Sequence, residues 1–588
     1  MNAISRPRPA TIRARVHESA VSRVTRAYAA TLPEIFAELL QNARRADATK
    51  VHVLVRTLPD EPDSEPRFSV TIHDDGEGIA DPAVLLSFGE NGWPDELVRK
   101  EDAAGFGFAS LARRGCTVST SLRSPGSGSL PAWRVDLAPE HFLGEAEAVV
   151  MHDESAPVPY GTAVSFPADE SMGTIRVAAA KAARHFPLPV RIHVENAGAK
   201  RTPGEPLPSS DFLAGAVHAE TWRGLAFGVF QDRRPGYTDP DLNFFGLTLP
   251  VRFPTVEAVN GTTWTVRTDV RDCPELELVL PARKEAVENA FLQEMREAAR
   301  LAIYRAMAAD PAPCPAFADH ARAREAGIEI MPPPSMLRPW RPDIADADDW
   351  REPPKPAFAG PDAIIMGFDP EPPEAHALWR AAVRVGVDSR LFQADRRLAG
   401  YAWHDSLDRA TSVAVKVADG AGGWTPVAEL PAPEPTDRWR APLPPRPAGI
   451  RIELAVRTAS GKPDMIDLPA DLAFAGEAWS HLDDARPLVT ADSAIGPHDL
   501  AWFLAAAFFA ADDDACADSH DTQRDRFNEE ALHLATRLLV SDEDAAVRSI
   551  EDAVRRDLMW LCPSGREAVI RIRRPDVTVT LGDPAPDA

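Results

Sequence analysis

Cysteine is scarce in this chain, positive charge is outnumbered, and apolar runs stay short; each shortage removes a class of function. The five cysteines (Cys116, Cys273, Cys314, Cys516 and Cys562) are odd in number, scattered and never in a C-x-x-C pair, which argues against a disulfide framework and for a reducing, cytoplasmic setting. The longest apolar run, Leu500 to Ala511, is too short to span a bilayer. No apolar segment of signal-peptide type follows the Arg-rich start, so an unsecreted protein without a membrane partner is expected. Lys and Arg number 64 against 89 Asp and Glu, a net charge of −25, which argues against nucleic-acid binding by the surface as a whole. Any basic patch must be local, and the N-terminus, with Arg6, Arg8, Arg13, Arg15, Arg23 and Arg26 facing only Glu18, is one candidate; a flexible, solvated arm at residues 1–20 is the other reading. A Walker A loop is also missing: the one Gly-Lys, Gly461-Lys462, is followed by Pro463. At 588 residues the chain exceeds what one core covers, and about three to five domains are expected.

What is present centres on Thr31 to Val51. Thr31 and Glu34 form a capping-box pattern, and Pro33 falls in the first turn, where amides lack intrahelical partners. Ile35, Leu39 and Ala43 follow the helical period as a core stripe, while Glu38, Asn42 and Arg45 line a neighbouring face. Alternation then marks strands at VHVLVRTL, FSVTIHDDG, CTVSTSL, AWRVDL and TAVSF. Short connections between the last three predict antiparallel pairing, hence a two-layer α/β sandwich with helices on one face over residues 21–170.

Within this region Phe68, Val70 and Ile72 point inward from a strand that delivers Asp74 at its end, followed by Gly76 and Gly78. The glycines permit close approach of a flat ligand. A Gly-, Pro- and charge-rich stretch from Ser87 to Ala104 reads as a long loop or lid and ends in AGFGFASLARRG, where Gly105 and Gly107 enter a short helical pattern. Backbone amides at such a turn make an anion-binding nest. Gly161-Thr162 opens the last strand.

In order and spacing, Glu-x-x-x-Asn, then Asp-x-Gly-x-Gly about thirty residues on, then the GxG turn, then Gly-Thr, resemble the GHKL ATPases, the superfamily of gyrase, the ninety-kilodalton heat-shock chaperones, histidine kinases and MutL. The segment ELLQNARRADATKV is most similar to MutL- and MORC-type sequences. The resemblance implies the Bergerat ATP-binding fold, with ATP and Mg²⁺ as cofactors. Glu38 would be the base that activates water, Asn42 the Mg²⁺ ligand, and Asp74 the acceptor for the adenine amino group. Gly76 and Gly78 would make room for the ring; Gly105, Phe106, Gly107 and Phe108 would offer amides to the phosphates; Thr162 would add a hydroxyl near Asp74. Without a Walker lysine, turnover is expected to be slow. One position departs from the family: its acid three after the Asn is Arg45 here, which either faces the phosphates or is solvated.

Residues 171–310 read as an α+β domain closed by an amphipathic helix from Ala286 to about Ala308, with Val287, Phe291, Met295 and Ala298 as its stripe. Its LVLPARKEAV segment resembles the MutL transducer motif, which implies that Arg283 reaches the γ-phosphate; an ordinary surface cation is the other reading. Prolines number 12 in the 51 residues from Pro311 to Pro361, against a usual ~5%, so residues 311–362 are expected to be a stiff linker. Residues 363–480 alternate as a β-rich domain, and 481–588 read as helices followed by two strands, an α+β region with an acidic loop around Asp512, Asp513, Asp514, His520 and Asp521 that is expected to be solvated. The whole is thus an α/β multidomain protein. The resemblance implies a dimeric clamp driven by ATP, an ATP-dependent homodimer acting on an unidentified protein or nucleic-acid client. The alternatives are histidine-kinase-like phosphotransfer, with His17-Glu18 as the candidate pair, and a scaffold that binds nucleotide without hydrolysing it. Neither a topoisomerase acidic cluster nor a metal-endonuclease motif appears in the C-terminal half.

Overall fold

The computed structural model describes residues 31–58, 67–87, 93, 107–123, 132–152, 160–195, 204–232, 241–279, 285–343, 354–418, 422–431, 446–475, 482, 485–512, 517–573 and 575–583. They form a mixed α/β protein of several sheets, which falls into two compact units, residues 1–332 and 333–588.

Among the described residues the first element of this unit is α1 (Leu32–Arg45), whose start is fixed by the Glu34 carboxylate accepting from the Thr31 amide at 2.6 Å. The predicted stripe Ile35, Leu39 and Ala43 is buried against a sheet, joined by Leu32, Phe36 and Leu40. That sheet contains β1 (Val51–Thr57), β2 (Phe68–Asp74), β3 (Cys116–Ser121), β4 (Ala132–Leu137), β5 (Val150–His152), β6 (Gly161–Ala168), β7 (Val190–Glu195) and β8 (Glu205–Pro206), in the order β5-β4-β3-β6-β2-β1-β7-β8. All neighbours are antiparallel except β1 and β7. Val51, Val53 and Val55 pair in register with Asp74, Ile72 and Val70, and the apolar members point to the helix-covered face. A second helix, α2 (Met172–Ala183), shares this core through Ile175, Ala178, Ala179 and Ala182. The sheet therefore continues past residue 170. Both α2 and β7 belong to the first layer pair, whereas the alternation alone assigned them to the next domain.

A second sheet holds β9 (His218–Trp222), β10 (Leu225–Asp232), β11 (Leu242–Phe244), β12 (Leu247–Leu249), β13 (Val256–Glu257) and β14 (Thr263–Val270), in the order β12-β11-β14-β10-β9 with β13 also on β14. It is closed by α3 (Ala290–Ala309), which buries Leu292, Met295, Ala299, Ala302 and Ile303. The stripe is thus rotated from the expected one; Phe291 and Ala298 are only half-buried. Around the LVLPARKEAV segment the described residues make a single bridge, between Leu278 and Ala286. Residues 311–330 are no linker: α4 (Phe317–Glu325) and Ile330 pack on this second core.

The second unit is built on a sheet of Leu391–Gln393, Ile364–Met366, Asp408–Ala418, Ile450–Arg457 and Pro463–Ala470 in that spatial order, with Trp424–Pro426 at the side of Asp408–Ala418. The first three strands run parallel. A helix, α5 (Pro372–Val385), covers it, so the region expected to be β-rich is mixed α/β. Its packing is fastened by Asp471, which receives both Arg380 Nε and Nη2 at 2.8 Å and Ser493 Oγ at 2.7 Å. Helices α6 (Pro497–Phe508), α7 (His520–Leu539) and α8 (Asp542–Ala553) and a hairpin of Glu567–Arg573 with Asp576–Gly582 follow, as read from the sequence. No helix among the described residues is long and apolar enough to cross a membrane. No cluster of three or more His, Cys, Asp or Glu that suits a metal occurs among them either.

Candidate functional site

The candidate site lies where β2 runs out against the C-terminal end of α1. Strand β2 ends at Asp74, and the loop Asp75–Ile79 is wedged between α1 and β3. On the helix side the Glu77 amide donates to Ala46 O at 2.8 Å, and Asp75 binds the turn after α1 through Thr49 N at 2.7 Å, Thr49 Oγ1 at 2.6 Å and Lys50 N at 3.1 Å. On the β3 side the Ile79 amide donates to Thr120 Oγ1 at 3.0 Å, and Trp133 Nε1 donates to Ile79 O at 2.9 Å. Gly76 and Gly78 thread these gaps: a Cβ on Gly76 would lie 2.6 Å from Ala46 O, and one on Gly78, at φ +82°, 2.7 Å from Ser121 O.

Two adjacent aspartates are driven in opposite directions by this arrangement. Asp74 is 8% exposed, and burial pushes its carboxyl up to about 6, against the hydrogen bonds from Gly76 and Thr162 amides that favour the ionised form. For Asp75 burial also opposes ionisation, but the three donors from Thr49 and Lys50 and the charge of Lys50 outweigh it and hold its pKa below the usual carboxylate range. Asp74 therefore keeps a poised acceptor at the strand end, while Asp75 is a structural clamp.

Thr162 stands directly opposite Asp74 in the β2–β6 ladder, and its hydroxyl lies 3.2 Å from that of Thr120, which donates to Gly161 O at 3.0 Å. Asp74, Gly76, Gly78 and Thr162 are thus brought together. Glu38 and Asn42 are both half-buried, one turn apart on α1, the helix whose end the same loop touches. Arg45 is buried at 8% exposure and is not solvated; its Nη1 points to Asn42 Oδ1 at 3.4 Å. Gly107 opens a short 3₁₀ turn, Gly107–Leu111, in place of an α-helix, and Phe108 packs its ring on Phe142, so any role for Phe108 falls to its amide. Gly105, Phe106 and Arg283 lie outside the described residues, as do the arm at 1–20 and the His17-Glu18 pair.

Sequence reasoning passed over Asp75, Thr120 and Gln41. The second Asp of the D-D-G turn was a signal for the first, since Asp readily binds backbone amides beside a turn. Gln41 carried no signal, because its partner is far along the chain.

No family model matches the chain, and no curated protein matches it. Among solved structures, one described as the N-terminal domain of a DNA repair protein is similar over 47% of this chain and 96% of its own, at 14% identity and a TM-score of 0.28. So slight a likeness assigns neither fold nor function.

Proposed function

We propose that residues 31–195 bind ATP with Mg²⁺ in a Bergerat-type site and hydrolyse it slowly, as the resemblance to GHKL ATPases implies. The observation that carries the reading is the buried Asp74 carboxylate facing Thr162 across the ladder, on a glycine loop pressed against the helix of Glu38 and Asn42. A buried acceptor flanked by hydroxyls and by backbone without Cβ atoms suits the edge of an aminopurine. Asn42 Oδ1 is the neutral oxygen that would hold Mg²⁺, which when bound neutralises phosphate charge. The fit is conditional there, since Arg45 must release that oxygen. Glu38 would take the proton of a water that adds to the γ-phosphorus, with ADP leaving as the P–O bond breaks. The second sheet and α3 would serve as the transducer-like domain, and the clamp reading calls for two copies closing on ATP around a protein or nucleic-acid client.

Purified protein is expected to release phosphate from ATP in the presence of Mg²⁺, and Glu38→Ala to bind ATP without turnover. Equal turnover in the variant would remove Glu38 from the role. The contact of Arg45 with Asn42 favours one second reading, a scaffold that holds nucleotide without hydrolysing it; wild-type protein that binds ATP but releases no phosphate would establish it. Sizing with and without a non-hydrolysable analogue tests the clamp, since a monomer in both states contradicts it.

A further inference from the structure

Helix α1 has a further polar position, Gln41, and it faces the second sheet. Gln41 Nε2 donates to the carbonyl of Phe245 at 2.6 Å and lies 3.5 Å from that of Phe244, and the residue is 5% exposed. One turn of side chains away the Arg44 guanidinium stacks 3.9 Å over the Phe245 ring. These residues are the tip of the β11–β12 hairpin.

The tip is held in an uncommon shape. Phe245 has φ +53°, a conformation that bulky residues avoid and that persists only where its surroundings impose it. Gly246 follows at φ +101°, where a Cβ would lie 2.9 Å from Phe186 Cα. Behind the tip, Asn243 Oδ1 accepts from the Gly246 amide at 2.9 Å, while its Nδ2 donates to Asp269 Oδ1 at 2.7 Å on β14. A continuous polar chain thus runs from the central strand of the second sheet, through Asp269, Asn243 and the hairpin tip, to Gln41.

We propose that this hairpin tip couples the two sheets: it reads the position of α1, and Gln41 is the positioning residue that ties it there. The inference rests on the reading of Glu38 and Asn42 as a nucleotide site. Gln41 is the neighbour of Asn42 and three residues from Glu38 on one rigid helix. A ligand that shifts α1 therefore carries Gln41 with it, and the Phe245 hydrogen bond either drags the hairpin or breaks. A strained tip, half-buried and pinned by the Gln41 and Asn243 hydrogen bonds, has discrete arrangements available and little room for gradual deformation. By linkage, loosening the tip changes nucleotide affinity by the same factor that nucleotide changes the tip's equilibrium.

The test compares hydrogen exchange of the amides of residues 242–249 in the full chain with and without Mg²⁺ and a non-hydrolysable ATP analogue, alongside analogue binding by calorimetry. In wild type the analogue is expected to change exchange at the tip. In Gln41→Met, which keeps the bulk and removes the donor, that ligand-dependent difference is expected to shrink about threefold or more, with analogue affinity altered by roughly fivefold. Arg44→Leu, which removes the stacking cation, is expected to reduce it as well. A general loss of packing would raise exchange in both states and leave their difference. Wild-type protein that binds the analogue with unchanged tip exchange overturns the coupling alone; wild-type protein that binds no analogue overturns the nucleotide reading and the coupling with it.

Discussion

Arg45 Nη1 meets Asn42 Oδ1 at 3.4 Å, one helical turn apart, with Arg45 buried and Asn42 half-buried. In the Mg²⁺ site proposed above a carboxylate at this position would attract the ion, whereas a guanidinium repels it and competes for the oxygen that would ligate it. Arg45→Ala is therefore expected to lower the Mg²⁺ concentration at half-maximal nucleotide binding by about fivefold, the equivalent of one weak charge-assisted hydrogen bond of about 1 kcal/mol. Asn42→Ala is expected to raise it. A magnesium titration that superimposes for wild type and Arg45→Ala would show that this contact is no obstacle.

Asp74 sets a trade between stability and binding. Its carboxyl rises from an ordinary 3.8 to about 6, so the folded protein holds that proton more tightly than the unfolded chain. The sign follows: the group costs nothing below the unfolded value, and the penalty grows as pH rises from about 4 to about 6, reaching about 3 kcal/mol for a shift of about two units. Asp74→Asn, which still accepts from the Gly76 amide, is expected to unfold at higher denaturant than wild type at pH 7.5, with the advantage vanishing near pH 4. The same variant should lose ATP binding, and wild-type affinity should fall as pH drops through about 6, because the protonated carboxyl turns from acceptor to donor. Coincident pH–stability curves for the two proteins would exclude the burial of an ionised Asp74.

How much of this was legible depended on the range of the interactions. Helix α1 was readable because its cap, its apolar spacing and its polar face are local, and Asp74 because strand alternation and the D-D-G turn place it within seven residues. Strand β7 was misassigned because its partner β1 lies far back in the chain, and parallel pairing leaves no local mark. The hairpin of β9 and β10 turns at Arg223-Gly224, both at positive φ, and Arg is not a residue that advertises such a turn. Helix α5 did carry signals, prolines in its first turn and Gly386 in the left-handed cap, which alternation in the neighbouring strands overshadowed. Arg45 and Gln41 were unreadable in principle, since each side chain's direction is settled by packing.

Gly78→Ala tests the wedge that shapes the site. A methyl group would add strain at φ +82° and press on Ser121 O at 2.7 Å, so the loop must lift away from β3 and loosen the Ile79–Thr120 and Trp133–Ile79 hydrogen bonds. The expected cost is roughly 1–3 kcal/mol in chemical unfolding, with Trp133 fluorescence shifting toward that of exposed indole. A variant that unfolds like wild type would mean that the loop is not packed as described.

The second unit has its own electrostatic fastening in Asp471. Burial alone would raise this carboxyl, but the Arg380 and Ser493 hydrogen bonds and the charges of Arg380 and Arg384 outweigh it and hold its pKa below the ordinary value. A depressed carboxylate contributes stability above its unfolded pKa and loses it as pH falls through the folded one. Removing Arg380 leaves a buried charge with weaker compensation from Arg384 at 3.4 Å, and Arg380→Ala is expected to destabilise this unit by about 3 kcal/mol. Replacing both partners, as Arg380→Leu with Asp471→Leu, should recover much of that loss, because the larger part of it is the stranded carboxylate. Unfolding of residues 333–588 followed by hydrogen exchange distinguishes the two cases: a double variant as unstable as Arg380→Ala would show that the ion pair itself, and not the cost of leaving it half-made, holds α5 to the sheet.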